Sequence, residues 1–386
     1  MKPLCLMLVA VEASGDLLGA RLMSALRERL GEGVRFVGVG GPRMVALGIV
    51  SPFDPAPLAV IGVFNALAIY PQIRRRVRET AALAAREQPD GAVLIDAWGF
   101  NLRVARAVRK VSPHTRLIKY VAPQVWATRP GRARTLAHAV DHLLTIHAFD
   151  APLFEAEGLA TTFVGHPALV PRENPSQGAD ASIDRAVTAD DPVLLVLPGS
   201  RPGEIARLLP PFEDAVARLV ETRPNLKVVV AAAAPVVDLV KAAIAGWRHV
   251  VTIVEGDDTR GRAMRSATVA LACSGTITTE LALAGCPMVV AYRLDPLTAV
   301  IARRLIRTPY ITLFNVAARA FVAPELVQEA CTGPALAAAV GRLLDDPVLR
   351  AAQSAAQTAA LDAMRGGVAD PADAAAEAVI ANAVRR

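Results

Sequence analysis

Short apolar runs alternate with longer amphipathic segments along most of the chain. The predicted strands of the first half span residues 4–11, 34–39, 91–96, 116–121, 142–148 and 161–165. The segments between them that predict helices include residues 17–30, 73–88 and 101–111. Because the strand runs are continuously apolar, both faces of each strand should be buried, as in a parallel sheet covered by helices. The pattern therefore predicts an α/β fold.

A polar segment at residues 171–191 interrupts this pattern with clustered Pro, Ser, Asp and Gly, and it marks the best domain boundary. The alternation restarts beyond it, from "PVLLVLPGSR" to "CPMVVAYRL", and the chain after about residue 335 is Ala-rich and helical. Two α/β halves joined by a linker predict a cleft between two domains, with ligands at the carboxyl ends of the strands.

Composition and charge narrow the class of partner. The chain has 386 residues, 53% hydrophobic and 4% aromatic, and its net charge is +6. A basic balance suggests an anionic partner such as a nucleotide, a phosphorylated lipid headgroup or nucleic acid. The basic segment 122–144 carries too few aromatic residues for a nucleic-acid face. The 4 cysteines form no C-x-x-C pair, which argues against a zinc site or a disulfide framework and fits a reducing cytoplasm.

Membrane association has one candidate segment. No uninterrupted apolar run reaches the roughly 18 residues of a transmembrane helix. The N-terminal run "LCLMLVAV" passes straight into "EASGD", so it predicts a buried strand rather than a signal peptide. Residues 56–79 join an apolar stretch to Arg74, Arg75, Arg76 and Arg78. This pattern suits docking on an anionic membrane surface, or else a buried helix with a solvated arginine face.

Two strand-to-helix junctions of the second half are candidate phosphate sites. In "ACSGTITTELALAGCPMVVAYR", Ser274, Gly275 and Thr276 form a turn into a helix, and Glu280 follows one helical turn later. Such a turn binds anions, and the carboxylate suits a ribose diol, although the same residues could simply cap the helix. In "LPGSRPGEI", Ser200 and Arg201 follow another strand and could bind phosphate or form an ordinary surface turn.

Two junctions of the first half also carry polar residues. In "AVEASGDLLGARL", Ser14 or Asp16 could cap a helix and Gly15 permits the turn, but the stretch lacks the G-x-G-x-x-G spacing of a dinucleotide site. In "VLIDAWGFN", Asp96 stands where a buried strand leaves the sheet. Placing a carboxylate near a core costs free energy unless the group is paired with a cation, hydrated or required for function. His166 in "FVGHP" also lies at a strand end.

Taken together, these blocks resemble the lipid-A-disaccharide synthase family. The matching stretches, in the family's order, are "EASGD", "FVGVGGPRM", "LAVIGV", "LIDAWGFNLRV", "YVAPQVWATRPGRA", "FVGHP", "LPGSRPGEI", "CSGTITTELALAGCPMVVAYRL" and "RTPYITLFNV". The resemblance implies a GT-B glycosyltransferase with two Rossmann-like parallel-sheet domains facing a cleft. Residues 1–175 would face acceptor and membrane, residues 190–365 would bind the UDP-sugar, and residues 366–386 would form a helix packed back on the first domain.

The implied reaction is an inverting transfer of 2,3-diacylglucosamine from UDP to the 6-hydroxyl of 2,3-diacylglucosamine 1-phosphate. It would occur at the cytoplasmic face of the inner membrane, without a metal or another cofactor and without nucleic acid; an oligomer is possible. Asp96 aligns with the Asp regarded as the family's catalytic base, and His166 is the next candidate for that role. The implied substrate-binding residues are Arg201, Ser200, Ser274, Gly275, Thr276, Glu280, Asn315, Ser14, Gly15 and Asp16.

The chain departs from the family's pattern in a few places. Many members carry a second acidic residue where this chain has Gly99, and the usual Trp-Ala-Trp ends in Thr128. Asn65 replaces a frequent Glu. The alternative functions are a UDP-sugar transferase of peptidoglycan synthesis, whose Gly-rich acceptor loop is absent, and a non-catalytic nucleotide- or membrane-binding descendant. Retention of Asp96 together with Arg201 argues against the descendant.

Overall fold

The computed structural model describes residues 3–59, 70–169, 191–306 and 308–383. It divides into two compact units, the first formed by Met1–Val170 with Arg365–Arg386 and the second by Pro171–Met364. Residues 60–69, which include most of the apolar part of the predicted membrane-docking stretch, lie outside the described residues, as do residues 170–190, which hold most of the predicted linker.

The first unit contains a six-stranded sheet. Its strands are β1 (Leu4–Val9), β2 (Val34–Val39), β3 (Gly91–Ile95), β4 (Arg116–Tyr120), β5 (His142–Thr145) and β6 (Thr161–Phe163). They lie in the order β2-β1-β3-β4-β5-β6, and every neighbouring pair is parallel. The apolar strand residues are buried on both faces, as the continuous hydrophobic runs predict.

Helices cover both faces of this sheet. They are α1 (Ala13–Leu30), α2 (Pro42–Ala46), α3 (Ala56–Ala59), α4 (Tyr70–Glu87), α5 (Trp98–Val111), α6 (Gly131–Ala137) and α7 (Ala151–Glu155), joined by the C-terminal helix Pro371–Ala383. That C-terminal helix packs on α1, where Ala375 and Val379 are fully buried. Its Asp373 also accepts two hydrogen bonds from the Arg29 guanidinium, at 2.6 and 2.7 Å.

The second unit repeats the architecture. Its strands are β7 (Val193–Leu197), β8 (Lys227–Ala232), β9 (Thr252–Glu255), β10 (Val269–Cys273), β11 (Met288–Tyr292) and β12 (Glu325–Val327). They lie in the order β12-β11-β10-β7-β8-β9 and are again all parallel. The prediction of an α/β fold with two parallel sheets is confirmed.

Nine described helices complete the chain after β7. They are α8 (Pro202–Thr222), α9 (Val237–Ile244), α10 (Asp257–Ser266), α11 (Thr276–Leu283), α12 (Pro296–Leu305), α13 (Leu313–Ala318), α14 (Gly333–Asp345), α15 (Pro347–Arg365) and α16 (Pro371–Ala383), the last belonging to the first unit.

The strand orders mark where each unit is built to receive a ligand. In the first sheet β2 lies on one side of β1 and β3 lies on the other. In the second sheet β8 lies on one side of β7 and β10 on the other. Such reversals leave a crevice outside the carboxyl ends of the two central strands, where ligands of open α/β sheets bind. The candidate ligand-binding crevices therefore follow β1 and β3 in the first unit, and β7 and β10 in the second.

Candidate active site and substrate-binding loops

Asp96 lies at the crevice of the first sheet, directly after β3. It is half-buried, and its backbone N–H donates to the carbonyl of Tyr120 at 2.9 Å. Both Asp96 and the following Ala97 have positive φ angles, 49° and 41°. Two successive non-glycine residues in the left-handed region are unusual, because each costs roughly 1–2 kcal/mol. The turn therefore lifts Asp96 out of the strand at an energetic cost that other contacts must offset.

Lys119, near the end of the neighbouring strand β4, supplies some of those contacts. Its side chain is buried, with 3% of the residue exposed, and its ammonium donates to the carbonyls of Leu94, Asp96 and Tyr120 at 3.2, 2.7 and 3.0 Å. Burial lowers the pKa of Lys119 to about 7, although the negative charges of Asp96 and Glu12 oppose this shift. Sequence reasoning missed this residue, and the available signal was a lysine inside the apolar run "RLIKY".

Glu12 brings a second carboxylate to the same place from the end of β1. Burial and the charge of Asp96 raise its pKa, while the positive charge of Lys119 lowers it. The crevice thus holds two acidic side chains and one ammonium within electrostatic reach of each other. Glu12 is also the residue that precedes α1, so the prediction that Ser14 or Asp16 caps this helix is wrong.

The predicted acceptor-facing residues begin α1. Ser14 is exposed, and Gly15 packs beside Ile95, the residue before Asp96, so both lie at the crevice. Asp16 is buried, and its carboxylate accepts hydrogen bonds from the backbone N–H groups of Arg43 and Met44 at 3.0 and 3.1 Å. The structure therefore gives Asp16 the task of holding the start of α2, and its contact with an acceptor stays a prediction.

The first predicted phosphate loop follows β7. Gly199 has a φ of 115° in this turn, and Ser200 is exposed. The Arg201 side chain is 77% exposed and its guanidinium donates to Glu204 at 3.1 Å. Glu204 is buried, and it also accepts from the backbone N–H of Ser200 at 3.1 Å. Glu204, which sequence reasoning missed, thus shapes the loop, while the Arg201 guanidinium and the Ser200 hydroxyl face solvent.

The second predicted phosphate loop follows β10. Gly275 precedes α11 without a side-chain cap, and a methyl group added at its Cα would meet nothing within 4 Å. The Ser274 hydroxyl donates to the carbonyl of Ile311 at 3.4 Å, so it does not cap the helix either. The exposed Thr276 and the positive end of the helix dipole at the start of this helix suit an anion. Glu280 is exposed and 3.9 Å from the Arg260 guanidinium.

Asn315 is placed differently from these loop residues. It has 0% of its surface exposed, and its amide donates to Ala323 and Glu325 at 3.0 and 2.8 Å. Its oxygen accepts from the Ala323 N–H at 3.1 Å. Glu325 in turn accepts from the N–H groups of Ile311 and Thr312 at 2.9 and 2.8 Å. Asn315 therefore supports the segment that Ser274 contacts, and its direct contact with substrate stays a prediction.

Three titratable residues cluster near the carboxyl edge of the first sheet: His147 and Asp150 are buried after β5, and the half-buried His166 follows β6. The His147 and His166 rings are 5.0 Å apart, and burial lowers their pKa values to about 3 and about 4. Burial also raises the pKa of Asp150, which is 2% exposed, to about 8. A histidine with so low a pKa is a weak base at neutral pH, which makes His166 a poor second candidate for the catalytic base.

Among the described residues, no group of three or more His, Cys, Asp or Glu side chains is arranged to hold a metal ion. No helix in the described part of the chain is both long and apolar enough to cross a bilayer.

The family model and the similar sequences all indicate the same family. A family model described as lipid-A-disaccharide synthetase matches residues 6–379. The lipid-A-disaccharide synthase of Rhodospirillum centenum is 42% identical over 380 residues, which cover 98% of this chain and 95% of the relative. That of Paramagnetospirillum magneticum is 42% identical over 375 residues, covering 97% and 96%.

Solved structures at low identity agree in fold alone. The glycotransferase of kitacinnamycin has a TM-score of 0.62 at 15% identity, covering 100% of both chains. A putative UDP-N-acetylglucosamine 2-epimerase from Listeria monocytogenes has a TM-score of 0.64 at 14% identity, covering 97% of this chain and 94% of that one.

Proposed function

Because the chain belongs to the lipid-A-disaccharide synthase family, it is a glycosyltransferase of lipid A synthesis, and we propose how its residues divide the reaction. The donor is UDP-2,3-diacylglucosamine and the acceptor is 2,3-diacylglucosamine 1-phosphate. The acceptor 6-hydroxyl oxygen attacks the anomeric carbon of the donor, and the bond from that carbon to the diphosphate breaks. UDP leaves with the bonding electrons, and the hydroxyl proton must go to a base.

Asp96 is the base. The observation that supports this assignment is that hydrogen bonds hold both the N–H and the carbonyl of Asp96, while its carboxylate oxygens accept none from the described residues. The N–H donates to Tyr120 and the carbonyl accepts from Lys119, but no described residue donates a hydrogen bond to the carboxylate oxygens. A half-buried carboxylate with free acceptor positions, at the crevice of its sheet, can take the proton of a sugar hydroxyl as the new bond forms. One carboxylate suffices, because UDP leaves as a stabilised anion.

The leaving diphosphate meets the loops of the second unit. Arg201 offers a solvent-exposed guanidinium, and the uncapped start of α11 at Gly275–Thr276 offers backbone amides and the positive end of a helix dipole. These groups can offset the charge that develops on the diphosphate. Glu280, on the same helix, is assigned to the ribose hydroxyls, and Ser200 and Ser274 supply hydroxyl groups to the two loops.

The acceptor is a membrane lipid, so we place the enzyme at the cytoplasmic face of the inner membrane. Support comes from α4, where Arg74 and Arg78 are exposed and pair with no acidic side chain among the described residues. Arg75 and Arg76 both pair with Glu79, at 2.9 and 2.8 Å. The first two arginines are therefore the better candidates for contact with anionic headgroups.

The decisive experiment measures UDP release with both lipid substrates, for the wild type beside Asp96→Asn. This change keeps the shape of the side chain and removes the base, so turnover should fall about a hundredfold or more. Asp150→Asn makes the same swap elsewhere in the first unit and should keep wild-type turnover. Equal turnover of Asp96→Asn and the wild type would overturn the assignment and make Glu12 the next carboxylate to test.

A further inference from the structure

The turn after β3 is strained and yet well defined. Asp96 has a φ of 49°, and Ala97 has φ 41° and ψ 61°. Both residues therefore hold a backbone conformation that costs energy relative to an ordinary right-handed one. Neither is a glycine, so the conformation must be imposed by the surroundings.

Two buried side chains impose it. Asn101, with 0% exposure, donates from its amide to the carbonyls of Ile95 and Asp96 at 2.8 and 3.0 Å. Lys119 donates to the Asp96 carbonyl at 2.7 Å and to that of Leu94 at 3.2 Å. Three successive carbonyls at the end of β3 are therefore paired with side chains, and the Asp96 carbonyl is paired twice.

Packing alone does not explain a lysine at this position. In the sheet register Lys119 lies opposite Leu94 on one side and Leu143 on the other. An apolar residue would fill such a site without the cost of burying an ammonium group. The lysine instead places all three of its N–H donors on backbone carbonyls, and one of these belongs to the residue whose side chain faces the crevice.

We propose that Lys119 and Asn101 are positioning residues for the reaction, which hold the Asp96–Ala97 backbone in its left-handed conformation and thereby fix the Asp96 carboxylate. The inference rests on the proposed role of Asp96 as base. Without the two side chains the turn relaxes toward a right-handed backbone, and the carboxylate leaves the position from which it accepts the proton. Proton transfer weakens steeply with such displacement, whereas substrate binding through the second unit does not.

The test compares kcat and KM for Lys119→Met, with Lys227→Met as the matched control. Lys227 also lies on a strand, but it is exposed and belongs to the second unit. Lys119→Met should lower kcat about tenfold or more and leave both KM values within about twofold, because an interaction that serves only the transition state is lost. Lys227→Met should leave both constants unchanged.

A second substitution separates positioning from plain stability. Glycine adopts a positive φ without the Cβ penalty, so adding Ala97→Gly to Lys119→Met should restore part of the lost kcat. A merely structural role would change the thermal midpoint and leave kcat per folded molecule untouched. If Lys119→Met does not fold, Asn101→Leu, which removes the other donors, should show the same loss in kcat at unchanged KM.

The outcomes distinguish this inference from the proposed function. Wild-type kcat in a folded Lys119→Met, beside an inactive Asp96→Asn, overturns the positioning role and leaves the base assignment standing. An active Asp96→Asn overturns the base assignment and the inference with it. A fall in kcat that Ala97→Gly does not relieve, accompanied by raised KM values, also overturns the inference.

Discussion

The crevices of the two sheets are built in opposite ways. In the first unit the charged groups at the crevice are shielded from solvent. Lys119 is buried, and it donates three hydrogen bonds to backbone carbonyls. Burial is also the main cause of the raised pKa of Glu12. In the second unit the Arg201 side chain is 77% exposed and the first turn of α11 is uncapped. Both crevices lie at a reversal of strand order, so the difference comes from the side chains and not from the topology.

The difference matches the two tasks that we propose for these crevices, proton transfer in the first unit and diphosphate binding in the second. A base must stand within a fraction of an ångström of the proton it takes, which favours a fixed backbone and buried supports. A diphosphate carries several oxygens and arrives from solvent, so exposed guanidinium and amide donors can bind it as it comes. The buried Glu204 and Asn315 show that the second unit also uses supports, but they shape the loops from behind.

The largest expected effect lies in the buried groups of the first unit and concerns stability against pH. The folded-state pKa of Asp150, about 8, lies above its ordinary value of 3.8. The folded state therefore binds the extra proton between these values, and the stability that this contributes is lost as pH rises through about 8. In Asp150→Asn this loss should be absent, so the stability of the variant relative to the wild type should rise by about 4 kcal/mol between pH 5 and 9.

The measurement is the thermal midpoint of both proteins across that range of pH. The opposing contributions of His147, His166 and Lys119, whose pKa values are lowered, are common to both proteins and cancel in the difference. A constant difference from pH 5 to 9 would show that Asp150 keeps its ordinary pKa in the folded protein, and it would weaken the picture of a first unit with buried titratable groups.

A smaller effect is expected at the open crevice of the second unit. Arg201→Met should weaken UDP binding about tenfold, or about 1.4 kcal/mol, because one charge-assisted contact to phosphate is lost. The fold should not change, since Glu204 still holds the Ser200 N–H. Calorimetric titration with UDP gives the affinity, and Arg218→Met, an exposed arginine on α8 paired with Asp214, is the control. Equal affinities for both variants would remove Arg201 from the site.

The smallest effect is expected at the surface of α4. Reversal of Arg74 and Arg78 to Glu should reduce binding to anionic vesicles several-fold, because their attraction to anionic headgroups is lost, and less so as salt is raised. Arg218→Glu, on the second unit, should bind vesicles as the wild type does. Sedimentation with phosphatidylglycerol vesicles measures both, and unchanged binding by the double variant would count against membrane docking through α4.

The sequence was enough to predict the residues that lie at the ends of the buried strands. Asp96, Ser200–Arg201 and Ser274–Thr276 each follow a continuous apolar run, and in a parallel sheet such residues must emerge at the carboxyl edge. The cap assigned to Ser14 or Asp16 failed because capping is decided by backbone geometry within one or two residues. The Asp16 carboxylate instead accepts hydrogen bonds from backbone N–H groups 27 and 28 residues away, and a local sequence pattern cannot predict such contacts.

The sequence by itself therefore determined the two sheets, the junctions that carry polar residues and the family, because these depend on hydrophobic period and on the order of motifs. Only the tertiary structure decided which side chains support the site. Lys119 reaches Asp96 across 23 residues and Glu325 reaches Asn315 across 10. The reason is physical: a hydrogen bond depends on a few ångströms and on direction, and strand pairing brings together atoms whose separation along the chain is arbitrary.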